Sequence, residues 1–234
     1  MRRIGGILTW LLLGAAAGQA QTISPVIVEF REKGRGSFQV LNDSFVPLNA
    51  VVEARSFSVD EDGKPTFRHL GPEIELKLST TSFRLGPQQA YTVFYEARAD
   101  RVPAWFCIYV VITGRTTTNG IQLVVELPHT VYLVTKKPAS REFLSLLRAE
   151  SLKTGSIHEV EAELENRGEA FIRVQEVEVV SAKGKKTYAG FPFFPGQRRK
   201  LRLNWNQPGD PQLLVLKFPQ FKIEKAIRTN VASQ

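Results

Sequence analysis

The chain has 234 residues, a formal charge of +8 and an apolar share of 43%, which allows a sizeable core in one or two domains. A single cysteine, Cys107, excludes a disulfide framework within the chain. The basic residues are not interleaved with aromatics on one face, which argues against a nucleic-acid partner. Helix signals are few, and short alternating runs of Val, Ile, Phe and Thr between Gly, Pro and Asn predict an all-β protein.

Met1-Arg2-Arg3, the apolar stretch Ile4 to Ala17 and the small residues Gly18-Gln19-Ala20 predict an export signal over residues 1–20. The stretch is short and broken for a bilayer span, so no stable membrane insertion is expected. A first strand follows over Val26 to Phe30, where Val26, Val28 and Phe30 alternate with Ile27 and Glu29. Lys33-Gly34-Arg35-Gly36 reads as a turn, Ser37 to Leu41 as a strand and Leu48 to Phe57 as another. Asp60-Glu61-Asp62-Gly63-Lys64-Pro65 reads as an acidic loop, lacking the length and closing Glu of a calcium loop. Ile74, Leu76 and Leu78 alternate with charges like an edge strand. Gly86-Pro87-Gln88-Gln89 then turns into a strand through Tyr91, Val93 and Tyr95.

The stretch from Ala104 to Leu127 organises the first half. Ala104 to Ile112 is almost wholly apolar, as a strand buried on both faces requires. Thr113 to Gly120 is polar and ends in Asn-Gly, a turn signal. Ile121, Leu123, Val125 and Leu127 then recur with a period of two, so they share one face. Pro128, with no N–H to give, is expected to close that run, and Thr130 to Thr135 continues in the extended direction. The row either faces the protein's own core or is offered to another protein. About seven strands over Pro25 to Thr135 suit an immunoglobulin-like sandwich.

Lys136 to Ser140 reads as a linker, and Arg141 to Glu150 as a short helix or a strand, with a strand suiting the context better. His158 to Glu165, Phe171 to Val180, Leu201 to Trp205 and Leu213 to Lys217 read as strands, and the tail from Thr229 as frayed. The order of turns and strands echoes the first half, so a second sandwich is expected in tandem. The division is a signal over 1–20, a first immunoglobulin-like domain over 21–137 and a smaller sandwich over 138–234. The basic clusters Lys183-Gly184-Lys185-Lys186 and Arg198-Arg199-Lys200 read as solvated turns. His69, His129 and His158 lie apart, in no metal-ligand spacing, and read as surface or turn histidines. With no Gly-x-Ser-x-Gly elbow either, neither enzyme activity nor a cofactor or metal is expected.

Several motifs resemble those of one family. Ile23-Ser24-Pro25 precedes a strand after an export signal, and the next strand ends at Asn42. Phe83-Arg84-Leu85-Gly86-Pro87 precedes another strand, and Asp100-Arg101 is followed by Trp105-Phe106. In the second half, Asn166 with its following strand and Pro195-Gly196 fit as well. Together they resemble PapD-like periplasmic chaperones of the chaperone–usher route. The resemblance implies a periplasmic protein that binds pilus or fimbrial subunits, and an outer-membrane usher as a further partner. It also implies that Ile121, Leu123, Val125 and Leu127 bind the subunit by donating a strand to its incomplete sandwich. Ile27 and Tyr132 stand where the family carries a basic pair for the subunit carboxylate, and Val102 stands for a family glutamate, while Lys137 before Pro138 matches. An immunoglobulin-like envelope scaffold or adhesion module with a permanent partner is the alternative.

Overall fold

The computed structural model describes residues 21–116, 122–154 and 157–231. The expected export signal and Ile121 lie outside them. Ten strands build the first half: β1 (Gln21–Ser24), β2 (Ile27–Arg31), β3 (Lys33–Asn42), β4 (Leu48–Val59), β5 (Pro65–His69), β6 (Ile74–Leu78), β7 (Ser82–Leu85), β8 (Ala90–Ala99), β9 (Ala104–Thr116) and β10 (Gln122–Val134). One sheet has the order β1-β3-β8-β6. The other has the order β2-β10-β9-β4-β5, with β7 paired to β4. The inner faces meet through Phe38, Val40 and Val93 on one side and Phe106, Ile108, Val110, Val131 and Leu133 on the other. β9 is central, flanked by β4 and β10, which explains its continuous apolar run.

A one-turn 3₁₀ segment at Arg141–Phe143 leads into the second half. Its strands are β11 (Leu144–Thr154), β12 (Ile157–Asn166), β13 (Ile172–Val180), β14 (Lys185–Phe193), β15 (Arg198–Trp205), β16 (Leu213–Lys217), β17 (Lys222–Ala226) and β18 (Arg228–Val231). The sheets are β15-β12-β11-β18 and β14-β13-β16-β17. Trp205, Leu164, Val174, Leu214 and Leu216 fill the core between them. The Trp205 indole N–H is satisfied by the Gly209 carbonyl at 2.8 Å. The protein is therefore two tandem immunoglobulin-like sandwiches.

The echo between the halves is repeated bond for bond. The fully buried Asn42 amide donates to the Val46 and Gly86 carbonyls at 2.9 Å, and its side-chain oxygen accepts from the Ser44 N–H. Asn166 donates to the Ala170 and Phe194 carbonyls at 3.0 Å and accepts from the Gly168 N–H. The backbone N–H of each asparagine also donates to a glutamine carbonyl, Gln89 for Asn42 and Gln197 for Asn166. Each asparagine thus saturates the turn that follows its own strand and a second turn facing it, which no apolar residue could do.

The sandwiches meet on an aromatic cluster. Phe57, Trp105 and Tyr132 of the first pack against Phe171 and Phe194 of the second, with Trp105 and Phe194 centroids 4.4 Å apart and Tyr132 and Phe171 4.7 Å apart. Polar links flank it. Arg173 Nε donates to Glu29 at 2.7 Å. Across the cluster, the acidic turn after β4 docks on the start of β15. Lys200 N–H donates to the Glu61 carbonyl at 2.7 Å, its ammonium meets the Glu61 carboxylate at 2.6 Å, and Gln197 Nε2 donates to the Val59 and Asp60 carbonyls at 3.3 Å. The Arg199 guanidinium lies directly on Gly63, where any Cβ would collide with it.

Several expectations are corrected. Lys33 to Gly36 is not a turn but the start of β3. Its glycines are there because the Phe30 ring lies across Gly34 and the Tyr95 phenol across Gly36. The acidic loop and the Arg198–Lys200 cluster are not separate solvated turns, since they bind each other. The tail is not frayed at Thr229, because Arg228 to Val231 pairs with β11. His129 and His158 are buried, not surface or turn residues, while His69 is exposed on β5.

Phe194→Ala is expected to cost about 3–5 kcal/mol in denaturant titration and to loosen the two sandwiches, read as a larger radius of gyration in small-angle scattering. Gln197→Ala is expected to cost about 1–3 kcal/mol by stranding the buried Phe194 N–H, which donates to the Gln197 side-chain oxygen at 3.1 Å, and Lys200→Ala markedly less, because its ion pair is exposed. Equal costs for the two would show that charge, not backbone capping, holds the contact.

Candidate functional site

β10 is a long strand with two different flanks. Along one it pairs with β9 in antiparallel fashion from Gln122 to Leu133, with a register shift between Gln122 and Val124. Along the other it pairs with β2, in parallel, only from Thr130 to Val134. Among the described residues no strand occupies the second flank from Gln122 to His129.

The parity of the strand says which groups that flank presents. Thr130 N–H donates to the Val26 carbonyl at 2.7 Å, and Glu32 N–H donates to the Val134 carbonyl at 2.8 Å. Even-numbered residues therefore turn their backbone groups toward β2, and odd-numbered residues turn theirs to β9. Upstream of β2, the same parity leaves the N–H groups of Val124 and Glu126 and the carbonyls of Val124, Glu126 and Pro128 on an open lane. Pro128 does not close the strand as expected, because β10 runs straight through it. Its missing N–H falls on the open flank, where no ladder bond is lost.

Side chains follow the same parity. Val125 and Leu127 point inward and pack, half-buried, on the first core, in line with the buried His129, Val131 and Leu133. Val124 points outward and is 58% exposed. The backbone of Leu123 belongs to β10, and its side chain lies outside the description. The structure thus brings Val125 and Leu127 together beside an open backbone edge. At the end of the lane Val26 and Ile27 are also exposed, so the edge has an apolar rim.

The outward face is braced by ions. Arg55 on β4 reaches over the Tyr109 ring at 4.6 Å and grips the Glu126 carboxylate with two bonds, at 2.9 and 3.2 Å. Glu53 is its third contact, at 3.0 Å. Glu126, then Glu53, raises the Arg55 pKa further. This bracket ties β4 to β10 across β9 and keeps the open strand flat on its sheet.

The β15 edge of the second sandwich is treated differently. Lys200 N–H on β15 is already taken by the Glu61 carbonyl, and the Asn204 carbonyl accepts from the Lys186 ammonium and the Tyr188 hydroxyl, each at 2.7 Å. Such covering is how proteins protect an edge from unwanted pairing. The edge strand β6 carries Glu75 and Lys77, to the same effect.

Sequence reading missed Arg55, Glu126, His129 and the role of Pro128. Proline at an even position in an otherwise alternating strand was the readable signal, since it marks an N–H that no neighbour needs. Among the described residues, one group is suggestive of chemistry. Ser151, His158 and Asp210 do form a chain, with Ser151 Oγ 3.0 Å from His158 Nδ1 and His158 Nε2 3.2 Å from Asp210. Ser151 is fully buried, however, which shields its hydroxyl from solvent. Tyr132, at the position where the resemblance implies a basic residue, instead stacks on Phe171 beneath the Arg173 guanidinium.

No protein-family model and no curated protein matches the chain. Solved structures do. The class 5 fimbriae chaperone CfaA is 11% identical, with a TM-score of 0.56 over 89% of this chain and 99% of its own. The YadV chaperone is 9% identical, with a TM-score of 0.56 over 88% and 98%. The Salmonella enterica SafB chaperone, solved in complex with the SafA pilin, is 10% identical, with a TM-score of 0.53 over 89% and 96%. The chain therefore has the PapD-like two-sandwich fold of fimbrial chaperones.

Proposed function

We propose that this protein is a periplasmic assembly chaperone that holds pilus or fimbrial subunits by lending them a strand, for delivery to an outer-membrane usher. The donating domain is residues 21–137, and residues 138–234 form the second, smaller sandwich. One observation carries the reading: the flank of β10 from Gln122 to His129 is open beside an apolar row. The fold shared with SafB, solved bound to a pilin, supports the same reading.

The chemistry is β-augmentation. An incomplete sandwich has an open core and an unpaired edge of its own. The lane offers it the Val124 and Glu126 N–H groups and the carbonyls of Val124, Glu126 and Pro128, each bond contributing about 0.5–1.5 kcal/mol net. Ile121, Leu123 and the exposed parts of the half-buried Val125 and Leu127 then meet alternate positions in the partner's groove, which gives specificity. No bond is made or broken, so the function is non-enzymatic and needs no cofactor.

Proline substitutions separate the two flanks. Val124→Pro removes an N–H from the open lane and leaves the β9 ladder intact. It is expected to unfold at close to the wild-type denaturant midpoint and to lose subunit capture. Val125→Pro removes a β9 ladder bond and is expected to destabilise the sandwich itself. The measurement is co-purification of the tagged protein from its native envelope, with the partner identified by mass spectrometry as a sandwich lacking its final strand. A folded Val124→Pro protein that retains its subunit would overturn strand donation.

A further inference from the structure

The open lane ends where β2 begins, and one buried side chain sits at that point. His129 is fully buried on the inward face of β10. Its Nδ1 lies 2.6 Å from the Pro25 carbonyl, in the crossover between β1 and β2. Its Nε2 lies 2.9 Å from the Tyr95 hydroxyl on β8, in the opposite sheet. The Phe38 ring of β3 covers it, with centroids 4.9 Å apart. A carbonyl can only accept, so Nδ1 carries the proton. In the neutral ring Nε2 then accepts from the Tyr95 O–H.

The groups facing the ring are thus the Pro25 carbonyl from the crossover, the Tyr95 phenol from β8 and the Phe38 ring from β3, with Ile108 its register partner on β9. None of them is an anion. A second proton would place an uncompensated charge in the core and turn Nε2 from acceptor to donor, forcing the Tyr95 hydroxyl hydrogen elsewhere. That hydroxyl is boxed in by Gly36, where a Cβ would come within 2.6 Å of it. The cheapest relief is for the imidazole to leave, and the Pro25 carbonyl then loses its tether. The first bond beyond that tether is Thr130 N–H to the Val26 carbonyl, which is where β2 starts to cover β10.

We propose that His129 is a positioning residue that ends the open lane of β10 at Pro128, and that its protonation releases the start of β2 and lengthens the lane. The consequence for donation rests on the strand-lending reading, whereas the pin itself does not. Burial supports the direction, since it holds the imidazole below its ordinary 6.5. The unfolded chain therefore takes up the proton first. The neutral ring's contribution to stability is complete above 6.5 and is lost as pH falls from there through the lower folded value.

Amide hydrogen exchange on the full chain, without any partner, tests the pin. Between pH 7.5 and pH 5, after correction for intrinsic exchange, the Thr130 and Tyr132 amides facing β2 are expected to open about ten-fold more often. The Val125, Leu127 and Val131 amides facing β9 are expected to hold. His129→Gln, which can still bond both partners but cannot titrate, is expected to lose the pH response. Nitrogen-15 shifts of the ring in the wild type provide a second reading, because the imidazole must titrate in step with the opening. Exchange at Thr130 that ignores pH, a response that survives in His129→Gln, or opening while the ring stays neutral would each overturn the proposal. None of these outcomes touches strand donation, which the Val124→Pro capture experiment judges separately.

Discussion

The architecture depends on the N-terminal strand being shared between two sheets. β1 pairs with β3 in one sheet and β2 with β10 in the other, with the crossover at Ser24–Pro25. A chain that crosses between sheets cannot ladder along the whole of either. The portion it gives to the first sheet is missing from the second, so β10 is covered only from Thr130 onward. The open lane is thus the geometric remainder of closing the sandwich, and no loop or lid among the described residues is needed to create it. Proline fits at both ends of this arrangement for one reason. Pro25 lies in the crossover between ladders, and Pro128 faces a flank with no ladder, so neither residue's missing N–H costs a bond.

An open edge beside apolar side chains is an aggregation hazard unless something limits it. Here the limits are structural and local. Arg55 fastens Glu126 from the outward face, and on the β15 edge of the second sandwich the Lys200 N–H and the Asn204 carbonyl are taken by the acidic turn of the first and by Lys186 and Tyr188. The basic cluster Arg198–Lys200 and the acid-rich turn Asp60–Gly63 look in isolation like two solvated surfaces of opposite sign. Folding places them against one another, and part of that contact is uncharged: backbone and amide hydrogen bonds to the Val59, Asp60 and Glu61 carbonyls. The aromatic cluster between the two sandwiches makes them a continuous packed body.

Buried polar groups mark the places where the fold must be specific. Asn42 and Asn166 knit equivalent turns in the two halves with the same bonds, which an apolar core could not specify. His129 does something similar between three elements of the first sandwich: β10, β8 and the crossover. In each case a short polar side chain satisfies backbone groups that a turn or crossover would otherwise leave buried and unpaired. Such groups are invisible to hydrophobic periodicity, since they occupy positions that alternate correctly and differ only in what they bond.

The amino-acid pattern alone determined the all-β class, the tandem sandwiches and the central apolar strand at Ala104 to Ile112, because burial of alternate or continuous side chains is a local property of the chain. It also picked out Val125 and Leu127 as members of one row, since a period of two needs no partner to be recognised. It could not say that Gly34 and Gly36 lie inside a strand, because the Phe30 and Tyr95 rings that require them arrive from other positions in the fold. Nor could it tell that Pro128 is harmless, that His129 is buried, or that opposite charges far apart in the chain clasp. Those outcomes depend on which flank of a strand acquires a neighbour. Flank occupancy is a property of the assembled sheet order, so only the tertiary structure decided it.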